Sequence, residues 1–193
     1  MRRLRQDDLT QVLGHGVRAE HRVTLELAYV IVTGTTTAPL SIEVVRGLLG
    51  LVPRVISIIT PNAGRVIAPR DLSTIPGNLL VESYFDAAIL PRPPDGLVVV
   101  APCSFNSLNK LAAGIADNLA LSLTAEAIGR GTPVIAAVSV NAPLLRHPRT
   151  QRSMATLREW GVAVLEPVDT GEGPRMAPVD AILEEAQRDL SRG

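Results

Sequence analysis

The sequence predicts one α/β domain: a doubly wound parallel sheet with helices on both faces. Three observations carry that expectation. Short apolar runs recur along the chain, and they are apolar throughout rather than alternating, the pattern of strands buried on both faces. A helix-like stretch follows most of these runs, and strand-then-helix order gives parallel neighbours joined by crossover helices. A chain of 193 residues can bury a sizeable core within a single domain.

Taken in order, residues 1–24 are polar, carry His15 and His21, and show no strand periodicity. They are expected to form an N-terminal arm, with the domain proper over 25–193. Leu27 to Thr33 reads as the first strand, Ile42 to Leu51 as a helix and Val55 to Thr60 as the second strand. Leu97 to Ala101, Val134 to Val140 and Val162 to Leu165 supply the third, fourth and a short fifth strand. Helices are expected over 107–129, 149–160 and 178–190. Val30, Val32, Ile56, Ile58, Val98, Val100, Ile135 and Val138 should lie in the core. Pro69 to Pro94 is rich in Pro, Gly and Asp and reads as a long excursion at the ligand edge of the sheet.

Composition narrows the function classes. Nineteen basic and 19 acidic residues give a formal net charge of zero, so there is no bulk attraction to nucleic acid or an anionic membrane. Aromatic residues are 3% of the chain, which disfavours base-stacking recognition of single strands. No apolar run approaches the roughly 20 residues that span a bilayer. The basic start, Met1 to Arg5, has no apolar stretch behind it and does not read as a secretory signal. A single cysteine rules out an intrachain disulfide and a cysteine-based metal cluster; no metal is expected, and a reducing cytoplasm is the simple reading.

Four strand ends carry the chemistry, because open α/β sheets bind ligands beyond the carboxyl ends of their strands. Strand one ends in Thr33-Gly34-Thr35-Thr36-Thr37-Ala38-Pro39. Gly34 allows close backbone approach, and the hydroxyls of Thr35, Thr36 and Thr37 stand at the mouth of a helix that Pro39 can start, a donor set suited to a phosphate dianion. The spacing is neither the glycine pattern of dinucleotide binders nor a Lys-bearing phosphate loop, which favours a mononucleotide; a Thr-rich capping turn is the plainer alternative. Thr60 adds a hydroxyl at the end of strand two. After strand three, Pro102-Cys103-Ser104-Phe105-Asn106-Ser107 opens a helix, either as a cofactor loop or as an ordinary turn capped by Ser104 or Asn106. After strand four, Asn141 offers two donors and one acceptor, for a ligand or for a tight turn.

These residues resemble the homo-oligomeric flavin-containing cysteine decarboxylases, which include phosphopantothenoylcysteine decarboxylases and lantibiotic-type peptidyl-cysteine decarboxylases. The family loop runs Pro-Ala-Ser/Thr-Ala-Asn-Thr, then Lys, Gly and Asp-Asn/Asp-Leu. Pro102, Asn106, Lys110, Gly114, Asp117, Asn118 and Leu119 fall on it, while Cys103 and Phe105 replace small residues. The family's Pro-x-Met-Asn-x-x-Met-Trp, followed by Asn-Pro-x-x-Gln, is met by Asn141, Pro148 and Gln151; its Pro, first Met and Met-Trp pair become Val138, Val140 and Leu144-Leu145. Gly171 to Met176 resembles the substrate-covering segment, with Arg175 and Met176 at its end. The likeness covers about residues 28–190.

The resemblance implies a Rossmann- or flavodoxin-like three-layer fold. It implies FMN held by Gly34, Thr35, Thr36, Thr37, Thr60, Pro102, Cys103, Ser104, Asn106 and Ser107, with Asn141 on the substrate carboxylate. It also implies a homo-oligomer, a trimer or a multiple of trimers, with Leu119 to Ile128 and Leu144-Leu145 offering surfaces to bury. The covering segment has no cysteine to donate a proton, which favours a reaction that stops at the enethiol: oxidative decarboxylation of the C-terminal cysteine of a precursor peptide, in ribosomal peptide antibiotic biosynthesis. Phosphopantothenoylcysteine decarboxylation in coenzyme A synthesis is the alternative, and a non-catalytic FMN-binding or regulatory subunit is the alternative of another class. The family's histidine position falls on Ala88, and no histidine lies between His21 and His147. Asp86, Tyr84, His147 or His21 is left to serve as base, Asp86 being the local candidate.

Overall fold

The computed structural model describes residues 25–192. The expected arm, residues 1–24, lies outside them. Six strands form one parallel sheet in the order β3-β2-β1-β4-β5-β6. They are β1 (Leu27–Val32), β2 (Arg54–Ile59), β3 (Asn78–Leu80), β4 (Leu97–Cys103), β5 (Val134–Val138) and β6 (Ala163–Leu165). A two-stranded antiparallel hairpin, β7 (Val168–Asp169) with β8 (Pro174–Arg175), stands apart from the sheet. The helices are α1 (Ser41–Leu48), α2 (Pro69–Ser73), α3 (Phe105–Leu111), α4 (Leu119–Arg130), α5 (Ala142–Leu145), α6 (Pro148–Glu159) and α7 (Val179–Arg192).

The three-layer fold follows from side-chain alternation along the strands. In β1, Tyr29 and Ile31 face one core with Val98 and Val100 of β4, under Leu108 and Leu111 of α3, Leu121 of α4 and Leu157 of α6. Ala28, Val30 and Val32 face the other, with Val99 of β4, Val44 and Leu48 of α1, Leu72 of α2 and Ile182 of α7. All eight residues expected in the core are at most 2% exposed. No helix among the described residues is long and apolar enough to cross a membrane.

Two regions differ from expectation. The single helix expected over 107–129 is two. Gly114 adopts φ +69° after α3, and Asn118 starts α4 by accepting the Leu121 N–H on its Oδ1 at 3.1 Å. The excursion from Pro69 to Pro94 contains α2 and the edge strand β3. Leu79 and Leu80 do form an apolar pair, but three residues behind Gly77 are too short to show a period.

Candidate functional site

Neighbours β1 and β4 lie at the centre of the sheet, and the chain runs outward from them in opposite directions, to β2 and to β5. Loops diverge from such a switch point and leave a crevice at the strand ends. A cleft of about 810 Å³ occupies it, within the size range of small-molecule sites. Its walls are the loops after β1, β2, β4 and β5, the α3–α4 connection and the β7–β8 hairpin.

Thr33 fixes the floor. Wholly buried at the end of β1, its Oγ1 donates to the Pro102 carbonyl at 2.7 Å and accepts the Ser104 N–H at 2.8 Å. One hydroxyl thus holds the first and third loops in register. Gly34 brings the first loop onto the second: a Cβ there would lie 2.7 Å from Cβ and 2.9 Å from the backbone carbon of Asn62. Beyond it, a chain of hydroxyls crosses the cleft, Thr35 to Thr37 at 2.8 Å and Thr37 to Ser139 at 2.7 Å. The backbone N–H groups of Gly34, Thr36 and Thr37 have no acceptor among the described residues. Hydroxyls beside free N–H groups form a donor set that fits a phosphate.

The β4 end supplies Ser104, Phe105, Asn106 and Ser107 to the wall. Ser104 caps α3, its Oγ accepting the Ser107 N–H at 3.3 Å. Further along, Lys110 pairs with Asp117 across the α3–α4 connection, and that hydrogen bond holds the Asp117 carboxyl below its ordinary range. Asn141 caps α5 through its Oδ1, which accepts the Leu144 N–H at 3.1 Å. Its Nδ2 has no partner among the described residues and is left to donate. On the hairpin, Arg175 pairs with Glu172 at 3.0 Å, and both line the cleft.

Comparison with known proteins decides the family. The Flavoprotein family matches residues 19–191. The chain belongs to that family. This flavoprotein is 33% identical over 140 residues, 62% of the chain and 36% of the relative, to a cysteine/cysteine sulfinic acid decarboxylase from an unknown prokaryotic organism. It is 32% identical over 185 residues, 90% of the chain and 43% of the relative, to the coenzyme A biosynthesis bifunctional protein CoaBC of Mycobacterium tuberculosis. The chain therefore spans less than half the length of these curated relatives. Among solved structures it superposes on the FMN-binding protein AtHal3 with a TM-score of 0.75, at 18% identity over 87% of this chain and 98% of that one. The FMN-dependent cysteine decarboxylase SpaF gives 0.70, at 24% identity over 88% and 99%. These likenesses establish the flavodoxin-like three-layer fold.

The structure brings Gly34, Thr35, Thr36, Thr37, Thr60, Ser104, Asn106, Ser107, Asn141 and Arg175 to this flavoprotein's cleft. Four other residues singled out in the sequence do not line it. Pro102 and Met176 are buried. Cys103 is wholly buried in the core, and burial pushes its thiol up to about 12. Asp86 lies outside, its Oδ1 accepting the Ala88 N–H at 2.8 Å. Ala88 itself packs against the core, and among the described residues no histidine lines the cleft. The His147 Nδ1 accepts the Arg149 N–H at 3.1 Å, and its ring meets Phe105 edge-on at 5.4 Å between centroids.

Ser139 and Phe105 are cleft residues that the sequence pattern did not assign. Ser139 left one signal, a lone hydroxyl in the otherwise apolar run from Val134 to Val140. Phe105 stands where the resembled family has a small residue, so it read as a departure rather than as a wall.

Proposed function

We propose that this flavoprotein binds FMN in the switch-point cleft and oxidatively decarboxylates the C-terminal cysteine of a peptide, releasing an enethiol. Thr35, Thr36, Thr37 and the free N–H groups around them take the phosphate, with Thr60 and Ser104 to Ser107 flanking the rest of the cofactor. FMN, when bound, supplies a two-electron acceptor that dioxygen regenerates. The Asn141 Nδ2 donates to the substrate carboxylate while its Oδ1 remains on Leu144, so the cap fixes the donor's direction. Phe105 and Leu144 give the thiol end an apolar wall. A free thiol with a pKa of about 8.5 is a few per cent thiolate at neutral pH, enough to react without a dedicated base.

The observation that carries the oxidative outcome is Cys103. It is the chain's one thiol, and it is wholly buried in the core and does not line the cleft, so it has no reach to donate a proton to an enethiol there. Mass spectrometry of cysteine-ended peptides, incubated aerobically with protein and FMN, tests the reading. Loss of carbon dioxide together with two hydrogens is expected. Loss of carbon dioxide alone from phosphopantothenoylcysteine would replace this reading with the coenzyme A reaction, which the likeness to CoaBC favours. No turnover of either would leave an FMN-binding or regulatory protein.

Assembly into a trimer or multiples of it belongs to the same proposal. The apolar face of α4 is spent on this chain's own core, with Ala120, Leu121, Leu123 and Ala127 buried. Exposed large apolar side chains among the described residues lie elsewhere, Phe85 at 86% foremost, with Leu90 at 49% and Ile115 at 45%. Light scattering should report a multiple of three chains; a monomer of 20.5 kDa at micromolar concentration counts against it.

A further inference from the structure

The charges inside the cleft and those at its rim are arranged differently. Every ionised side chain lining the cleft is matched: Lys110 with Asp117, and Arg175 with Glu172. The rim beside Asn141 is unmatched. Arg146, Arg149 and Arg152 are exposed and make no ion pair or side-chain hydrogen bond among the described residues. No Asp or Glu occurs between Glu126 and Glu159 to balance them locally.

Their position is fixed by three contacts. Thr150 Oγ1 donates to the Leu144 carbonyl at 2.6 Å, and Gln151 Nε2 donates to the Leu145 carbonyl at 3.1 Å, tying the first turn of α6 to α5. The His147 ring, between Arg146 and Arg149, seats on Phe105 of the cleft wall. Arg149 and Arg152 are three residues apart on α6 and share a face. The three arginines do not line the cleft itself; they stand on the end of α5 and the start of α6, so a molecule that holds its carboxylate at Asn141 and extends along α5 would run past them. The rim acts over about a Debye length of 8–10 Å, enough to reach the residues that precede a terminal cysteine.

We propose that this rim selects acidic peptides: Arg146, Arg149 and Arg152 bind Asp or Glu side chains shortly upstream of the C-terminal cysteine. The proposal rests on the peptide reading above and adds the chemistry of the segment before the reacting residue. Inside the cleft a second anion gains nothing, because both cations there are already paired; outside it, three guanidiniums that have no partner among the described residues attract one.

The test separates binding from turnover. FMN-loaded protein is titrated against dye-labelled peptides that end in serine, so that none reacts, with Glu or Gln at the four preceding positions. Fluorescence anisotropy should give a dissociation constant at least about fivefold lower for the Glu peptide, a preference that high salt removes. A triple variant, Arg146→Gln with Arg149→Gln and Arg152→Gln, should bind both peptides alike while keeping its flavin absorbance. Equal affinity of the wild type for the two peptides overturns the proposal and needs no variant. Equal peptide affinity with arginine-dependent binding of phosphopantothenoylcysteine overturns it in favour of a phosphate. If the Glu preference holds but no cysteine-ended peptide is decarboxylated, the rim stands and the enzymatic reading falls.

Discussion

The loop after β4 and the segment between β3 and β4 are both tied to distant residues, but only the first is tied down at the cleft. Buried Thr33 clamps the first from below, through the Pro102 carbonyl and the Ser104 N–H, before Ser104 caps α3. The second, residues 81–96, has short turns within it, such as the Asp86 N–H to Ser83 and the Ile89 N–H to Asp86, and is tied down from outside by side chains: the Tyr29 hydroxyl donates to the Pro94 carbonyl at 2.8 Å, and Arg130 donates to the Pro93 carbonyl at 3.1 Å and pairs with Asp95. It is pinned where Val81 and Ile89 enter the core and where the Tyr84 hydroxyl meets Ser122 at 2.7 Å. Four residues of the β4 loop line the cleft, and none of the segment does. Long loops often carry function, but here the cleft is lined by strand ends and what immediately follows them. Those strands lie within the sheet, so their loops are cross-braced, whereas β3 is the edge.

The largest expected effect comes from breaking the brace between the first two loops. Gly34→Asp should abolish FMN uptake, read as flavin absorbance after gel filtration. Its Cβ would overlap Asn62, and its carboxylate would repel a phosphate. Gly34→Ala isolates the steric part; full flavin content in that variant would show that the loops can separate without cost.

Asn141→Asp should lower turnover at least tenfold with FMN retained. Asp still offers an oxygen to the Leu144 N–H, so the cap survives, but the donating Nδ2 becomes a like charge facing the substrate carboxylate. Losing a hydrogen bond to a charged group costs about 1.5–3 kcal/mol, and each 1.4 kcal/mol is tenfold in rate. Unchanged kcat/KM in the folded variant would remove Asn141 from the site.

Thr33→Val keeps the shape and deletes both bonds of the hydroxyl. It leaves the Ser104 N–H without its acceptor, which should lower unfolding free energy by about 1–3 kcal/mol and hasten flavin release. A denaturant midpoint equal to the wild type would mean the third loop does not depend on the clamp.

Asp86→Asn probes the other region. The amide oxygen can still accept the Ala88 N–H, so stability and turnover should stay within about twofold. A large loss of turnover with normal stability would bring this segment into the catalytic site after all.

The smallest effect is that of Cys103 below pH 9. The folded thiol holds its proton to about 12, while the unfolded thiol ionises near its ordinary 9.0. The unfolded state therefore loses the proton first, and stability falls as pH rises from about 9 towards 12, with no contribution below. Cys103→Ala should flatten that decline, and a thiol reagent should label the native protein only on unfolding. Rapid native labelling would put the thiol within reach of the cleft.

Sequence alone determined five of the sheet's six strands and the edge at which the candidate site lies. The apolar runs of β1, β2, β4 and β5 were visible because strands buried on both faces must be apolar throughout, a constraint each strand meets by itself. Thr35 to Thr37, Ser104 to Ser107 and Asn141 could be placed at one edge because parallel order sends every strand's carboxyl end to the same side. The break at Gly114 and Asn118 had its local signals, Gly followed by Asp-Asn, but the apolar residues on either side masked them.

What the tertiary structure alone decided is which of those residues face each other and which turn away. Two residues of one loop, Cys103 and Ser104, look equally suited to a cofactor in sequence; the core claims the first and the cleft wall the second. The Thr37–Ser139 hydrogen bond joins residues 102 apart. The pairing of Lys110 and Arg175, and the lack of a partner among the described residues for Arg146, Arg149 and Arg152, likewise depend on which acids the fold brings near. Burial in a strand is a property of one segment and is written into its composition, whereas a site is a set of distances between segments, which only the packed chain fixes.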